Sequence, residues 1–172
     1  AWCRACGSTG SRPQAPRGHP GLPEALRTRL ALVTERSLVL VKPDGFRRGL
    51  TGEVLRRIEA KGYRLVALRI RTPEPELLAQ HYAEHVGKPF YDTLVGFMSS
   101  GPVTAVVIEG EQCVAGFRSL AGATDPTKAP PGSIRGDLGR DWGMGTTENV
   151  VHGSDSPESA VREIALWFPE LG

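Results

Sequence analysis

"NVVHGSDSPESAVREIALWF", residues 149–168, changes its periodicity halfway along. Asn149 to His152 enclose a pair of valines and read as a short strand. Ser156 then caps a helix, with Pro157 at its first position and Glu158 beside it. Ala160, Val161, Ile164, Ala165 and Phe168 are the expected apolar stripe of that helix. The stretch is one strand-to-helix unit, and its strand delivers a histidine to a rigid end.

Similar units lie upstream. "VTAVVIEG", 103–110, is a continuous apolar run and reads as a buried strand, with a helix expected near 112–121. "YRLVALRIR", 63–71, predicts a strand with Val66, Leu68 and Ile70 on one face. "SLVLV", 37–41, is the first strand, and "KPDG", 42–45, is the turn that leaves it. In "TGEVLRRIEAKG", 51–62, Thr51 reads as an N-cap and Glu53 complements the helix dipole. Val54, Leu55 and Ile58 share a face there, Lys61 lies in the last turn and Gly62 stops the helix. Helical patterns also occupy 74–85 and 90–99. This order predicts an α+β domain: a ferredoxin-like, antiparallel four-stranded sheet with helices on one face. Residues 122–147, rich in Gly, Pro, Asp and Thr, read as one long loop, and a loop of that length is usually functional.

Composition bounds the function. A chain of 172 residues supports one domain with a proper core, and 40% hydrophobic with 23% charged residues describes a soluble globular protein. Residues 1–32 hold five Arg against one Glu, so the net charge of +2 hides a slightly acidic 33–172. Such a domain offers no electrostatic footprint for a nucleic-acid duplex. Cys3, Cys6 and Cys113 do not form a disulfide framework, and no run approaches the roughly 18 apolar residues of a membrane span. The expected location is the cytoplasm, without a membrane partner.

Residues 1–23 contain eight Gly and Pro and no acid, a composition that predicts disorder. We place the domain at 33–172 and treat 1–32 as an extension. Its origin is either a misplaced start or a targeting segment, which makes mitochondrial import the alternative location. "CRAC", 3–6, has no second cysteine pair to complete a zinc site.

Among four histidines, His19 lies in the extension. His81 and His85 fit H-x-x-E-H in "HYAEH", 81–85, but an exposed polar helix face explains the spacing without a metal. "WGMGTTEN", 142–149, has Glu148 where a dinucleotide fingerprint needs its third glycine, and no P-loop occurs. His152 differs. It ends a strand, Gly153 permits close backbone approach, and Ser154 and Glu163 are placed to fix its ring. Imidazole is nucleophilic when neutral, and the P–N bond that it forms is reactive enough to pass the group on. A structural histidine explains these local features equally well.

"VKPDG" (41–45), "HYAEHVGKPFY" (81–91), "FMSSGPV" (97–103), "PGSIRGD" (131–137) and "NVVHGSDSPESAVREIALWF" together resemble the nucleoside diphosphate kinase family, of bacterial type. The resemblance runs from about Glu35 to the end of the chain. It implies ping-pong transfer of the terminal phosphoryl group of a nucleoside triphosphate, typically ATP, through His152 to a nucleoside diphosphate, maintaining nucleotide pools. It implies that Lys42, Arg118 and Arg135 face the phosphates and that Thr124 donates a hydroxyl to them. By the same resemblance, Asn149 and Lys42 reach the ribose and Tyr82 lies near the sugar and phosphoryl group. Phe90 stacks on the base, and Glu163 and Ser154 orient the histidine. Stacking accepts any base, so specificity should be broad. Mg²⁺ is implied through the nucleotide phosphates with no dedicated protein ligands, and a homo-oligomer, hexamer or tetramer, is implied as the assembly.

Two features depart from the family pattern. "LGRDWGMGTTE", 138–148, carries a few extra residues beside the site, and the long C-terminal extension of many animal members is lacking. A catalytically weak relative acting as a binding protein is the competing reading, although it would be expected to lose His152, Lys42 or an arginine.

Overall fold

Strand β1, Thr34–Val41, lies inside the sheet, and its alternating side chains build two cores rather than one. The structure, a computed structural model, describes residues 34–140 and 148–171. Three more strands join β1: β2 (Arg64–Arg71), β3 (Val103–Glu111) and β4 (Val151–Gly153). The order is β2-β3-β1-β4 with every neighbour antiparallel. This is the expected ferredoxin-like α+β sheet.

Helices α1 (Pro43–Arg47) and α2 (Thr51–Ala60) follow β1, and α3 (Pro75–His81) and α4 (Tyr91–Met98) separate β2 from β3. Then come α5 (Cys113–Ala121), α6 (Ile134–Leu138) and α7 (Pro157–Trp167). Leu38 and Leu40 share a core with Leu78 of α3, Met98 of α4 and Trp167 of α7. Val39 and Val41 share the other with Val54 and Ile58 of α2 and Phe117 of α5. Helices therefore cover both faces, not one. The unbroken "SLVLV" run demands this, since every one of its side chains is buried.

Several local expectations change. "KPDG" does more than turn the chain, because its Pro43 opens α1. Leu50, not Thr51, precedes α2; the Thr51 hydroxyl instead meets that of Thr104 at 3.2 Å. Gly62 does end α2, with φ +96°. In β2 an irregularity between Leu65 and Ala67 shifts the register, leaving Leu68 and Ile70 exposed while Val66 packs on the core. The stripe of α7 is also rotated. Val161 is 72% exposed, and Glu163 and Trp167 are buried beside Ala160 and Ile164. The segment from 122 contains a 3-10 turn, Pro126–Lys128, and then α6, capped where the Ser133 hydroxyl accepts from the Gly136 N–H at 3.1 Å. No helix among the described residues is long and apolar enough to cross a membrane. Expectations for the extension, with Cys3, Cys6 and His19, and for Trp142, Gly143 and Gly145 lie outside the described residues.

Candidate active site

β4 is only three residues long, and the residues before it are held by groups far away in sequence. Val150 has φ +71°, a conformation that a β-branched residue occupies only under constraint. The Lys42 N–H donates to the Val150 carbonyl at 2.8 Å, and the Val150 N–H donates to Asp44 Oδ2 at 3.0 Å. Gly45 is required beside them, since a Cβ there would lie 3.0 Å from the Val150 oxygen and 2.9 Å from Val41 Cγ1. Arg135 completes the clamp, donating to the carbonyls of Asn149, Gly122 and Val151 at 3.3, 2.9 and 2.8 Å. His152 is thereby fixed opposite Leu40 of β1. The close approach expected at Gly153 is to Phe117, whose ring would lie 2.4 Å from an added Cβ.

Behind His152 the site is buried and polar. His152 Nε2 lies 3.4 Å from both carboxylate oxygens of Glu163. The Ser154 hydroxyl donates to Glu163 Oε2 at 2.6 Å and accepts from the Leu38 N–H at 3.1 Å. Burial pushes the Glu163 carboxyl up, but the hydrogen bond and charge of His152, with His81 and Ser154 adding, bring it below the usual range. An ionised carboxylate therefore faces Nε2 and leaves Nδ1 as the other nitrogen of the ring.

In front of His152 lies a cleft of about 440 Å³. Lys42 lines it from the end of β1, Arg118 from α5, Arg135 from α6 and Thr124 and Asn149 from loops, with Tyr82 and Phe90 from the α3–α4 region. Burial, then the charge of Arg135, brings the Lys42 ammonium down to about 7 against the pull of Asp44. Burial and Arg118 likewise lower Arg135 to about 10. Arg118 is ion-paired with Asp155 at the rim, and Asn149 Nδ2 donates to the Thr124 carbonyl at 2.8 Å. Asn149 Oδ1 is buried and has no partner among the described residues. Burial and the Glu163 charge raise the Tyr82 phenol, which keeps it protonated.

The site thus brings together the residues that the family resemblance assigned to it, with Ser154 and Glu163 behind the nucleophile candidate and the others around the cleft. Two were misread. His81 is 2% exposed and packs against His152, and His85 lines the cleft between Tyr82 and Phe90, so "HYAEH" is no exposed helix face. Their signal was the spacing itself, which a purely helical reading obscured: α3 ends at His81, and His85 ends a separate 3-10 turn, Ala83–His85.

His81, His152 and Glu163 are a group with metal-ligand spacing. Two imidazoles and one carboxylate do not suit Mg²⁺, which demands oxygen ligands. Among the described residues, the cleft lining carries one carboxylate, Asp155, paired with Arg118. The basic lining suits phosphate oxygens better than a bare divalent cation.

A basic cleft in front of His152, on a ferredoxin-like sheet, is a site suited to phosphoryl transfer. The chain belongs to the nucleoside diphosphate kinase family, whose profile matches residues 35–171. It is 61% identical over 140 residues to a nucleoside diphosphate kinase of Saccharopolyspora erythraea, covering 81% of this chain and all of that one. Identity to the enzyme of Nocardia farcinica is 59% over 140 residues, covering 81% of this chain and 98% of the relative. A solved structure of the halophilic nucleoside diphosphate kinase from Halobacterium salinarum, in complex with CDP, matches with TM-score 0.74 at 48% identity. That match covers 78% of this chain and 87% of that one. The family transfers phosphoryl groups between nucleoside tri- and diphosphates and uses a divalent metal.

Proposed function

We propose that the chain performs this exchange by a ping-pong cycle through a phosphohistidine at His152. The observation that carries the reading is the orientation of the ring: Nε2 faces Glu163, so Nδ1 supplies the nucleophilic lone pair. In the first half-reaction Nδ1 attacks the terminal phosphorus, the bond to the bridging oxygen breaks, and the diphosphate leaves. The Nε2 proton remains against Glu163. In the second half-reaction an oxygen of an incoming diphosphate attacks phosphorus, and the P–N electron pair returns to Nδ1.

Lys42, Arg118 and Arg135 neutralise phosphate charge, and Thr124 adds a hydroxyl. Asn149, whose Oδ1 is buried without a partner among the described residues, and Lys42 take the ribose hydroxyl, with Tyr82 beside the phosphoryl group. Phe90, 47% exposed at the rim, stacks on the base and leaves specificity broad. A divalent metal, Mg²⁺, carried by the nucleotide phosphates would supply further charge neutralisation, with Lys42, Arg118 and Arg135 facing the same phosphates. Residues 33–172 form the catalytic unit, and it acts in the cytoplasm as a homo-oligomer, for which the exposed Leu68 and Ile70 on edge strand β2 provide apolar surface.

The test is the intact mass after brief exposure to ATP and Mg²⁺, with His152→Ala alongside. One acid-labile phosphoryl group, absent from the variant and discharged by GDP, is the expected result. An unmodified wild-type protein that is folded would sink the mechanism and favour the binding-protein reading.

A further inference from the structure

The proposed cycle uses one of two histidines that meet behind the cleft. The other, His81 at the end of α3, has a setting that a mere core residue does not need. Its Nδ1 accepts a hydrogen bond from the Trp167 indole N–H at 3.3 Å. Its ring stands edge-to-face with His152, 4.9 Å between centroids and 75° between planes. The same ring packs edge-to-face on Tyr82 at 4.5 Å and on Trp167 at 5.8 Å, so neighbours constrain it from three directions. One nitrogen from each histidine and one oxygen of Glu163 fall within 4.8 Å of one another.

Hydrogen-bond chemistry fixes the state of this ring. An indole N–H only donates, so Nδ1 must present a lone pair, and the proton of neutral His81 therefore sits on Nε2. Burial first, then repulsion by His152, holds His81 neutral by lowering it to about 3, against the attraction of Glu163 and with help from Arg162 and His85. A protonated Nε2 has no lone pair for a metal, which argues against reading the cluster as a cation site. Nε2 is also buried with no hydrogen-bond partner among the described residues. Burying such a donor costs stability that an apolar side chain of similar size would not forfeit.

We propose that His81 is a positioning residue for phosphoryl transfer: locked by Trp167 as the Nε2–H tautomer, it fixes the plane of the His152 ring without adding charge. The absence of charge matters because a ring carrying phosphorus on Nδ1 and a proton on Nε2 is itself cationic. A protonated neighbour at this separation would oppose its formation, whereas a neutral edge-on ring constrains it sterically and leaves Glu163 as its counter-charge. His81 thus acts through His152 and touches no substrate. The inference rests on His152 being the phosphoryl acceptor.

The experiment follows phosphoryl loading from ATP·Mg²⁺ in a single turnover by rapid quench and intact mass, for the full chain and for His81→Asn. Asparagine keeps an acceptor for Trp167 but removes the ring. The expected result is loading slowed by about tenfold or more, with the dissociation constant of ADP changed by less than about twofold. Equal loading rates would overturn the inference, as would parallel losses in loading and ADP affinity, which mark general damage. Failure of wild-type protein to load at His152 would instead overturn the proposed function and this inference with it. Histidine ring ¹⁵N NMR on the wild-type protein provides an arm independent of the variant's folding. Nε2–H signals for His81 from pH 6 to 8 are expected, and an Nδ1–H or doubly protonated ring would overturn the proposal.

Discussion

The wall behind His152 and the rim in front of it are built on opposite principles. Ser154, Glu163, His81 and Trp167 are all buried and joined by directional contacts, so the nucleophile's surroundings are in place before any nucleotide arrives. Phe90, Arg118 and Asp155 at the rim are exposed, and the Arg118–Asp155 pair must exchange for phosphate if Arg118 is to bind substrate. The contrast assigns chemistry to the wall, where burial strengthens electrostatics, and capture to the rim, where contacts are easily exchanged. Variants of the wall should then change turnover, and variants of the rim should change affinity.

The severest way to break this division is Glu163→Gln, which preserves shape while removing the charge facing Nε2. We expect kcat to fall by about 10- to 100-fold with ADP affinity nearly unchanged, by analogy with other groups that orient a reactive histidine. A large affinity loss with normal kcat would place Glu163 in capture instead.

Lys42 lies where the two regions meet, and its charge sharpens the comparison. In the free protein it loses its proton as pH rises through about 7, whereas a bound phosphate favours the ammonium form. Nucleotide binding should therefore take up a proton above pH 7 and weaken by up to about tenfold per pH unit as pH rises. Calorimetry in two buffers of different ionisation enthalpy measures the uptake, and Lys42→Arg should flatten the dependence. For folding the sign is also defined. The unfolded chain binds the extra proton between about 7 and 10.5, so Lys42 makes stability rise with pH across that window.

At the rim, Phe90→Ala should raise KM by about tenfold for purine and pyrimidine nucleotides alike, since stacking contributes about 1–3 kcal/mol without reading base edges. Steady-state kinetics with kcat unchanged would agree. The smallest effect belongs to Asp155→Asn, which frees Arg118 from an exposed pair. Nucleotide affinity should tighten by no more than about threefold at low salt, and the gain should vanish at high salt.

Much of this was legible because it is local. The four strands and the longer helices are announced by apolar runs and caps, as in "SLVLV" and at Ser156, whose hydroxyl accepts from the Ser159 N–H at 3.1 Å, whereas the five-residue α1 and α6 are not. The site residues were legible only as an ordered set of motifs resembling a family, since no one of them is distinctive alone. Periodicity failed where a polar group takes a core position. The stripe of α7 was misphased because Glu163 is buried where Val161 was expected, and a hydrophobic pattern has no means of ranking a carboxylate as an interior residue.

By itself, then, the sequence determined the order of the strands and the antiparallel sheet, and through the family resemblance it named the candidates for the site around His152. Tertiary structure decided the rest: which faces of the sheet are covered, how Asp44 and Arg135 hold the strained Val150 beside the nucleophile, and that His81 belongs with His152. The physical reason is range. Caps and apolar repeats act within a few turns of chain, whereas hydrogen bonds such as Asp44–Val150 span 106 positions and exist only once the sheet has formed.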